Sequence, residues 1–278
     1  MNSKYIILLT GCINPRDMVY TAIKDPDTRM NQYIMALRYY LENTALPIVF
    51  CENSMTKLST DFSDIPSINE RYEFITFDGN NFDKSLGKGY GECEIIDYAI
   101  CHSQLIKSHS YIIKITGRIT VIDILSYVHF HNKLPKGTIQ ALLPTNNHFI
   151  DSRFIICPKH FLQQYFLPQQ KKLNDSKNYY FENLLYDAIF SQNKYLYIPF
   201  ISFPNYKGYS GSVGYMYKSY NTTNRLYYKA DATNYFVLSS CPNYSKILPM
   251  KIKIRLRVKH FFTIIHLYIL KFISKFFT

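Results

Sequence analysis

Lys88-Gly-Tyr-Gly-Glu92 is the segment whose residue types and spacing most suggest chemistry. Glycines on either side of Tyr90 let a backbone approach a ligand closely, and Lys88 offers a cation to a phosphate. Glu92, Glu94 and Asp97 crowd the turn that follows. That suits a helix start and repels an anion, so Glu92 is better matched to a sugar hydroxyl. A plain helix-entry turn or hairpin is the alternative. Lys114-Ile-Thr-Gly-Arg118 closes an apolar run with two cations and a turn. Strand alternation puts Lys114 and Thr116 on one face, with Arg118 just beyond. A lysine inside an apolar strand requires a partner, either a carboxylate or a diphosphate. Asp151-Ser-Arg153 sets a carboxylate two residues from a guanidinium, with a local salt bridge as the plainer account. Glu182, in Tyr179-Tyr-Phe-Glu-Asn183, stands at a helix start among aromatics. Such a setting raises a carboxyl toward general-base use, although an acid there also simply favours the helix dipole.

The elements that must position these residues alternate. Apolar runs at Tyr5–Leu9, Pro47–Cys51, Phe74–Phe77 and Tyr111–Ile115 read as strands, and helical spacing marks 28–43 and 91–106. Alternating β and α elements predict an α/β layered fold with a mainly parallel sheet, whose ligands sit beyond the carboxyl ends of the strands. Those ends carry Thr10-Gly11, Glu52-Asn53-Ser54, Asp78-Gly79 and Thr116-Gly117-Arg118. Further on, 139–143 and 154–157 look like strands and 181–190 like a helix. Gly208-Tyr-Ser-Gly-Ser-Val-Gly214 reads as a lid over a ligand or a simple hairpin.

With 278 residues, 47% hydrophobic and 19% charged, the chain has material for a sizeable core and is neither disordered nor fibrous. It is rich in Tyr (26) and Phe (20) and has no Trp. The net charge of +12 is uneven. Residues 251–278 hold seven Lys and Arg and no acid, leaving 25 bases against 20 acids over the first 250 residues, about +5. A surface-bound tail explains this better than a nucleic-acid-binding body. Lys88-Gly-Tyr-Gly opens like an RNA-recognition signature, but Glu92 and Cys93 stand where Phe and Val should follow, and base stacking needs the aromatic. Six scattered cysteines form no metal-ligand spacing and read as reduced, on the cytosolic side. The apolar start is too short for a signal-peptide core.

The tail divides in two. Lys251 to Lys259 alternates basic and apolar residues with period two, and 260–278 projects as an amphipathic helix. Its sidedness predicts a helix lying in a membrane interface, against the alternative of a core helix. We therefore expect a domain at 1–250 and a basic membrane-associating tail at 251–278. There is no P-loop, G-x-S-x-G elbow, H-E-x-x-H or G-x-G-x-x-G, and no strand ends in Asp-x-Asp.

Thr10-Gly11, Cys51-Glu-Asn-Ser54, Gly87-Lys-Gly-Tyr-Gly-Glu92, Lys114-Ile-Thr-Gly-Arg118, Asp151-Ser-Arg153, Phe181-Glu182 and Ser210-Gly-Ser212, in that order, resemble a family of bacterial surface-polysaccharide glycosyltransferases. The resemblance spans roughly residues 1–215, with Ile119 departing from an expected tyrosine. It implies a GT-A-like, Rossmann-type mixed or parallel sheet flanked by helices and lacking Asp-x-Asp. It further implies a nucleotide-sugar donor, a lipid-linked acceptor in O-antigen or capsule synthesis, and work at the inner face of the cytoplasmic membrane. On the chemistry, Thr10, Gly11, Glu52 and Asn53 would hold the nucleotide, with Tyr90, Thr116 and Arg153 also in the donor site. Lys88, Lys114 and Arg118 would neutralise the diphosphate in place of a metal, so no cofactor is expected. Glu92 and Asp151 would bind sugar hydroxyls, and Glu182 would deprotonate the acceptor, implying inversion. The competing class is a non-catalytic protein binding nucleic acid or a membrane surface.

Overall fold

The computed structural model describes residues 4–274 except 17, 19–20, 59, 61, 146, 212–213, 218–221 and 239–249. Ser212 of the glycine-rich loop and residues 275–278 of the tail thus lie outside the described residues. The chain is an α/β protein whose central sheet is mixed. Strands β1 (Tyr5–Gly11), β2 (Ile48–Glu52), β3 (Tyr72–Thr76) and β4 (Tyr111–Thr116) are parallel. Short pieces follow: β5 (Ile119–Val121) and β6 (Thr138–Ile139). Strand β7 (Phe154–Pro158) pairs antiparallel with β4, giving the order β3-β2-β1-β4-β7. Strands β8 (Leu196–Tyr197) and β9 (Tyr206–Gly208) pair with β6 and β5. The expected strand at 139–143 shrinks to β6 and a single bridge from Gln140 to Ile156.

Helices α1 (Pro26–Asn43) and α2 (Lys88–His102) cover opposite faces of the sheet, joined by α3 (Ile124–His131) and α4 (Phe181–Phe190). Strand alternation sorts the core. Ile6, Leu8, Val49 and Ile112 pack toward α2 and α4, whereas Ile7, Leu9, Phe50 and Ile113 pack toward α1 and α3. Burial on both faces is why these strands read as unbroken apolar runs. Helix α1 starts two residues earlier than its apolar spacing suggests. Asp25 caps it by accepting from Thr28 N at 2.8 Å, and Pro26 has the φ of a first helical residue.

Two differences from expectation matter for the site. Helix α2 begins at Lys88, not Gly91, so both glycines lie in its first turn. A Cβ on Gly89 would press on the Phe181 backbone at 3.0 Å, and one on Gly91 would strike the Phe82 ring at 2.9 Å. These glycines serve close helix packing. The left-handed residue is Gly87, φ 86°, where a Cβ would run into the Asp175 carboxylate. At the other end, α2 stops because Ser103 caps a separate turn, Gln104–Lys107, through Ile106 N at 2.9 Å.

Helices α5 (Thr222–Leu238) and α6 (Met250–Ser274) end the described chain. The period-two stretch at 251–259 is helical, not extended. Its seam of Leu256, His260 and Thr263 follows three- and four-residue spacing against α5, and tertiary contact overrides the alternating pattern. The tail is therefore docked rather than free.

Candidate active site

The sheet's topology switches between β1 and β4, where chains leave in opposite directions along the sheet. A crevice opens outside the carboxyl ends of such strands. Here it is a cavity of about 640 Å³, within the range that holds a small-molecule ligand. Thr10, Gly11 and Asn53 line it from the ends of β1 and β2, and Thr116 and Arg118 from the end of β4. Lys88 and Glu92 enter from the first turn of α2. Asp151 and Arg153 come from the segment before β7, and Glu182 from the start of α4. Residues scattered over the sequence thus share one crevice. Gly117 permits it: a Cβ there would sit 2.7 Å from the Thr10 carbonyl, which accepts Gly117 N at 2.9 Å.

Three expected ligand contacts lie elsewhere. Glu52 is fully buried and serves as an anchor. Its carboxylate accepts Ile13 N (2.9 Å), Ser54 N (2.8 Å), Thr56 N (3.2 Å), the Thr76 hydroxyl (2.7 Å) and the Ser54 hydroxyl. It fixes the loops after β1 and β2 and has nothing left for a nucleotide. Removing so many acceptor contacts strands buried donors at about 1–3 kcal/mol each. Glu52→Ala is expected to cost at least about 3 kcal/mol in urea unfolding. A loss below about 1 kcal/mol would show that water replaces the carboxylate. Tyr90 is turned away from the cavity, against Phe82 at a centroid distance of 5.1 Å. Its place in the first turn of α2, rather than in a loop, decides that.

Lys114 is the third, at 1% exposure. Even-numbered residues of β4 face α2, so its ammonium meets Glu92 at 2.6 Å and donates to the Ser152 carbonyl at 2.6 Å. Thr10 donates to the same Glu92 oxygen at 2.7 Å. Of the alternatives for the partner of this lysine, the carboxylate holds. Lys114 positions Glu92 and does not reach the cavity. Asp151 and Arg153 likewise pair with each other, Nε–Oδ2 at 2.8 Å, while the guanidinium lies over Tyr206 (4.5 Å) and Tyr217 (4.9 Å).

Arg118 is the exception. Its Nη1 donates to Gln32 at 3.0 Å, but its buried Nε has no partner and no carboxylate lies within 4.0 Å among the described residues. Burial pulls the guanidinium below its usual pKa, and the like charge of Arg29 acts in the same direction. Arg29, 5% exposed, also lines the cavity and also lacks a carboxylate among the described residues. It donates to the carbonyls of Cys12 (2.8 Å) and Ile23 (3.1 Å). Both guanidinium groups lie about 6 Å from the Tyr33 ring, at 5.8 and 6.0 Å. Arg29 belongs to none of the motifs above. The available signal was its place on the apolar stripe of α1, in line with Tyr33, Leu37 and Tyr40, where an arginine needs a reason to be. Lys88 borders the same cavity, and burial lowers its ammonium as well.

Glu182 lines the same cavity, where its charge acts on Lys88. Burial pushes its carboxyl above the usual range, opposed in part by the Ser152 hydroxyl, which donates at 2.6 Å. Asp175, at the mouth beside Gly87, is also raised by burial. The hairpin tip after β9 brings Ser210 and Gly211 over Arg118, and Gly211 O accepts Ala22 N at 3.3 Å. The described part of the glycine-rich segment is a hairpin that closes one side of the cavity. The site can hold a polyanion against fixed guanidinium groups, with a raised carboxyl nearby to move a proton.

The sequence matches no protein-family model and no curated protein. Among solved structures, the chain is similar to the mannosyltransferase Ktr4p from S. cerevisiae, at 12% identity, with 74% of this chain and 70% of that one covered and a TM-score of 0.43. It is similar to a glycosyltransferase involved in glycosylation of the major capsid of PBCV-1 (12% identity, 70% and 81% covered, TM-score 0.42). A third is the galactosyltransferase LgtC, solved with donor and acceptor sugar analogs (8% identity, 69% and 73% covered, TM-score 0.42).

Proposed function

We propose that this chain is a GT-A-like glycosyltransferase that moves a sugar from a nucleotide-sugar donor to a lipid-linked glycan acceptor in surface-polysaccharide synthesis, without a metal and with inversion. The observation that carries the reading is the pair Arg29 and Arg118, buried with no carboxylate within 4.0 Å among the described residues, in one cavity with Glu182, whose carboxyl burial raises. Two such buried guanidinium groups in one cavity, Arg118 with an unpartnered Nε, favour a ligand with at least two negative charges. A nucleoside diphosphate meets that need. In the reaction, the acceptor hydroxyl gives its proton to Glu182 as its oxygen bonds to the anomeric carbon. The bond from that carbon to the diphosphate breaks, and the leaving group takes the electron pair. Arg118, through its free Nε, and Arg29 stabilise the charge gathering on the diphosphate. Glu92, locked by Lys114 and Thr10, would receive a sugar hydroxyl. The exposed basic helix α6 supports a peripheral enzyme at the cytoplasmic face of the membrane, where such acceptors reside.

Thermal-shift titration against nucleoside diphosphates and nucleotide sugars tests the reading. A ligand at 100 times its Kd stabilises by about 2.7 kcal/mol, and Arg118→Ala should abolish that shift. If no nucleoside diphosphate or nucleotide sugar stabilises the wild type, the proposal fails.

A further inference from the structure

Helix α6 turns the wrong way for a core helix. Among its described side chains the buried ones are Leu256 and Thr263, each 3% exposed, and His260 Nδ1 meets Thr233 Oγ1 of α5 at 2.9 Å. Leu256, His260 and Thr263 seal the seam, and the aromatic side chains point outward: Phe261 is 62% exposed, Phe262 63% and Tyr268 71%. Helix α5 is itself tied to the body, since the Tyr228 hydroxyl donates to Phe200 O at 3.0 Å. The aromatic face is thus carried on a fixed support.

Cations surround it. Arg255, Arg257 and Lys259 are exposed on α6, and residues 250–274 contain no acid. Lys229 lies one turn before Thr233 on α5, and Lys133 just after α3. Burial lowers the Lys259 ammonium, and the fields of Lys229, Arg255 and Lys133 add to it, so these charges converge from three elements. None has a carboxylate within 4.0 Å among the described residues.

We infer that α5, α6 and Lys133 form one docking surface for an anionic lipid bilayer, with Phe261, Phe262 and Tyr268 entering the interface and Lys133, Lys229, Arg255 and Lys259 meeting lipid phosphates. This extends the peripheral-membrane part of the proposed function, but its geometry is independent of the chemistry in the cavity. A bilayer offers apolar depth and negative charge side by side, which is what this face lacks. A second copy would bring the same cations against themselves. Among the described residues, no helix is long and apolar enough to cross a membrane.

Co-sedimentation of the full chain with phosphatidylcholine vesicles, with and without phosphatidylglycerol, tests this. Binding is expected to require phosphatidylglycerol and to weaken with salt. Lys133→Gln combined with Lys229→Gln, both outside the terminal helix, should lower partitioning roughly tenfold or more. Phe261→Ser with Phe262→Ser should abolish it. Circular dichroism and diphosphate-induced thermal shifts should stay at wild-type values in both variants. Unchanged partitioning of the Lys133/Lys229 variant would overturn the shared surface. Equal binding to pure phosphatidylcholine, a dimer in light scattering that Phe261→Ser dissociates, or an oligonucleotide that competes for the face would each overturn the lipid assignment. Lysine-dependent vesicle binding without any diphosphate shift would leave this inference standing and remove only the transferase.

Discussion

Arg118→Ala is expected to lower turnover by about 10²–10³-fold, the usual consequence of losing one preorganised donor to a developing oxyanion. The expectation follows from the partners Arg118 lacks. Gln32 takes one Nη, Nε has no partner, and Gly211 leaves room beside the other Nη only because it has no side chain. A guanidinium held this way is fixed in direction and open to two ligand oxygens. Arg118→Lys should fall between wild type and alanine, because lysine keeps the charge and loses the fork. Full turnover is likewise expected in excess EDTA, the leaving group's charge being met by Arg118 and Arg29. Turnover that vanishes on chelation and returns with Mn²⁺ or Mg²⁺ would sink the metal-free mechanism. Wild-type turnover in Arg118→Ala would remove Arg118 from the site altogether.

Glu182→Gln should cut transfer by about 10²–10⁴-fold while donor binding, read by thermal shift, stays near normal. Its raised carboxyl has a definite pH consequence. The base works only when deprotonated, so kcat/KM should rise with pH through a value above the ordinary glutamate range, and the residual activity of the glutamine variant should lose that limb. Stability should move the other way. A carboxyl whose folded pKa lies above its unfolded one favours the native state at low pH, and that advantage is lost as pH rises through the folded pKa. Glu182→Gln is therefore expected to be at least as stable as wild type at neutral pH, checked by denaturant midpoints at two pH values. Asp151→Asn is the matching control. Asp151 is held by Arg153, so its loss should disturb the Arg153–Tyr206 stack and leave most of the transfer rate. The reverse result, a dead Asp151→Asn beside an active Glu182→Gln, would give the base role to Asp151.

Strands β1 to β4 and helices α1 and α4 were legible because their signals are local. Buried parallel strands are largely apolar, and a helix against a sheet repeats its apolar residues every three or four positions. The same periodicity put Lys114 and Thr116 on one face and the site at the strand ends. What the sequence could not say is which distant residue each charge meets. A carboxylate and a diphosphate were both candidates for Lys114 until α2 began three residues early and set Glu92 against it. Glu52 looked like a ligand group at a strand end. Only the fold of two loops around it makes it an anchor. Arg29 and Arg118 come from α1 and the end of β4, and their approach across Tyr33 is a fact of packing alone. The outer face of α6 was readable as amphipathic, but its attachment to α5 through Thr233 and His260 was not. A side chain's neighbours along the chain set its secondary structure. Its charge partner is set by elements that meet only once the hydrophobic core has closed.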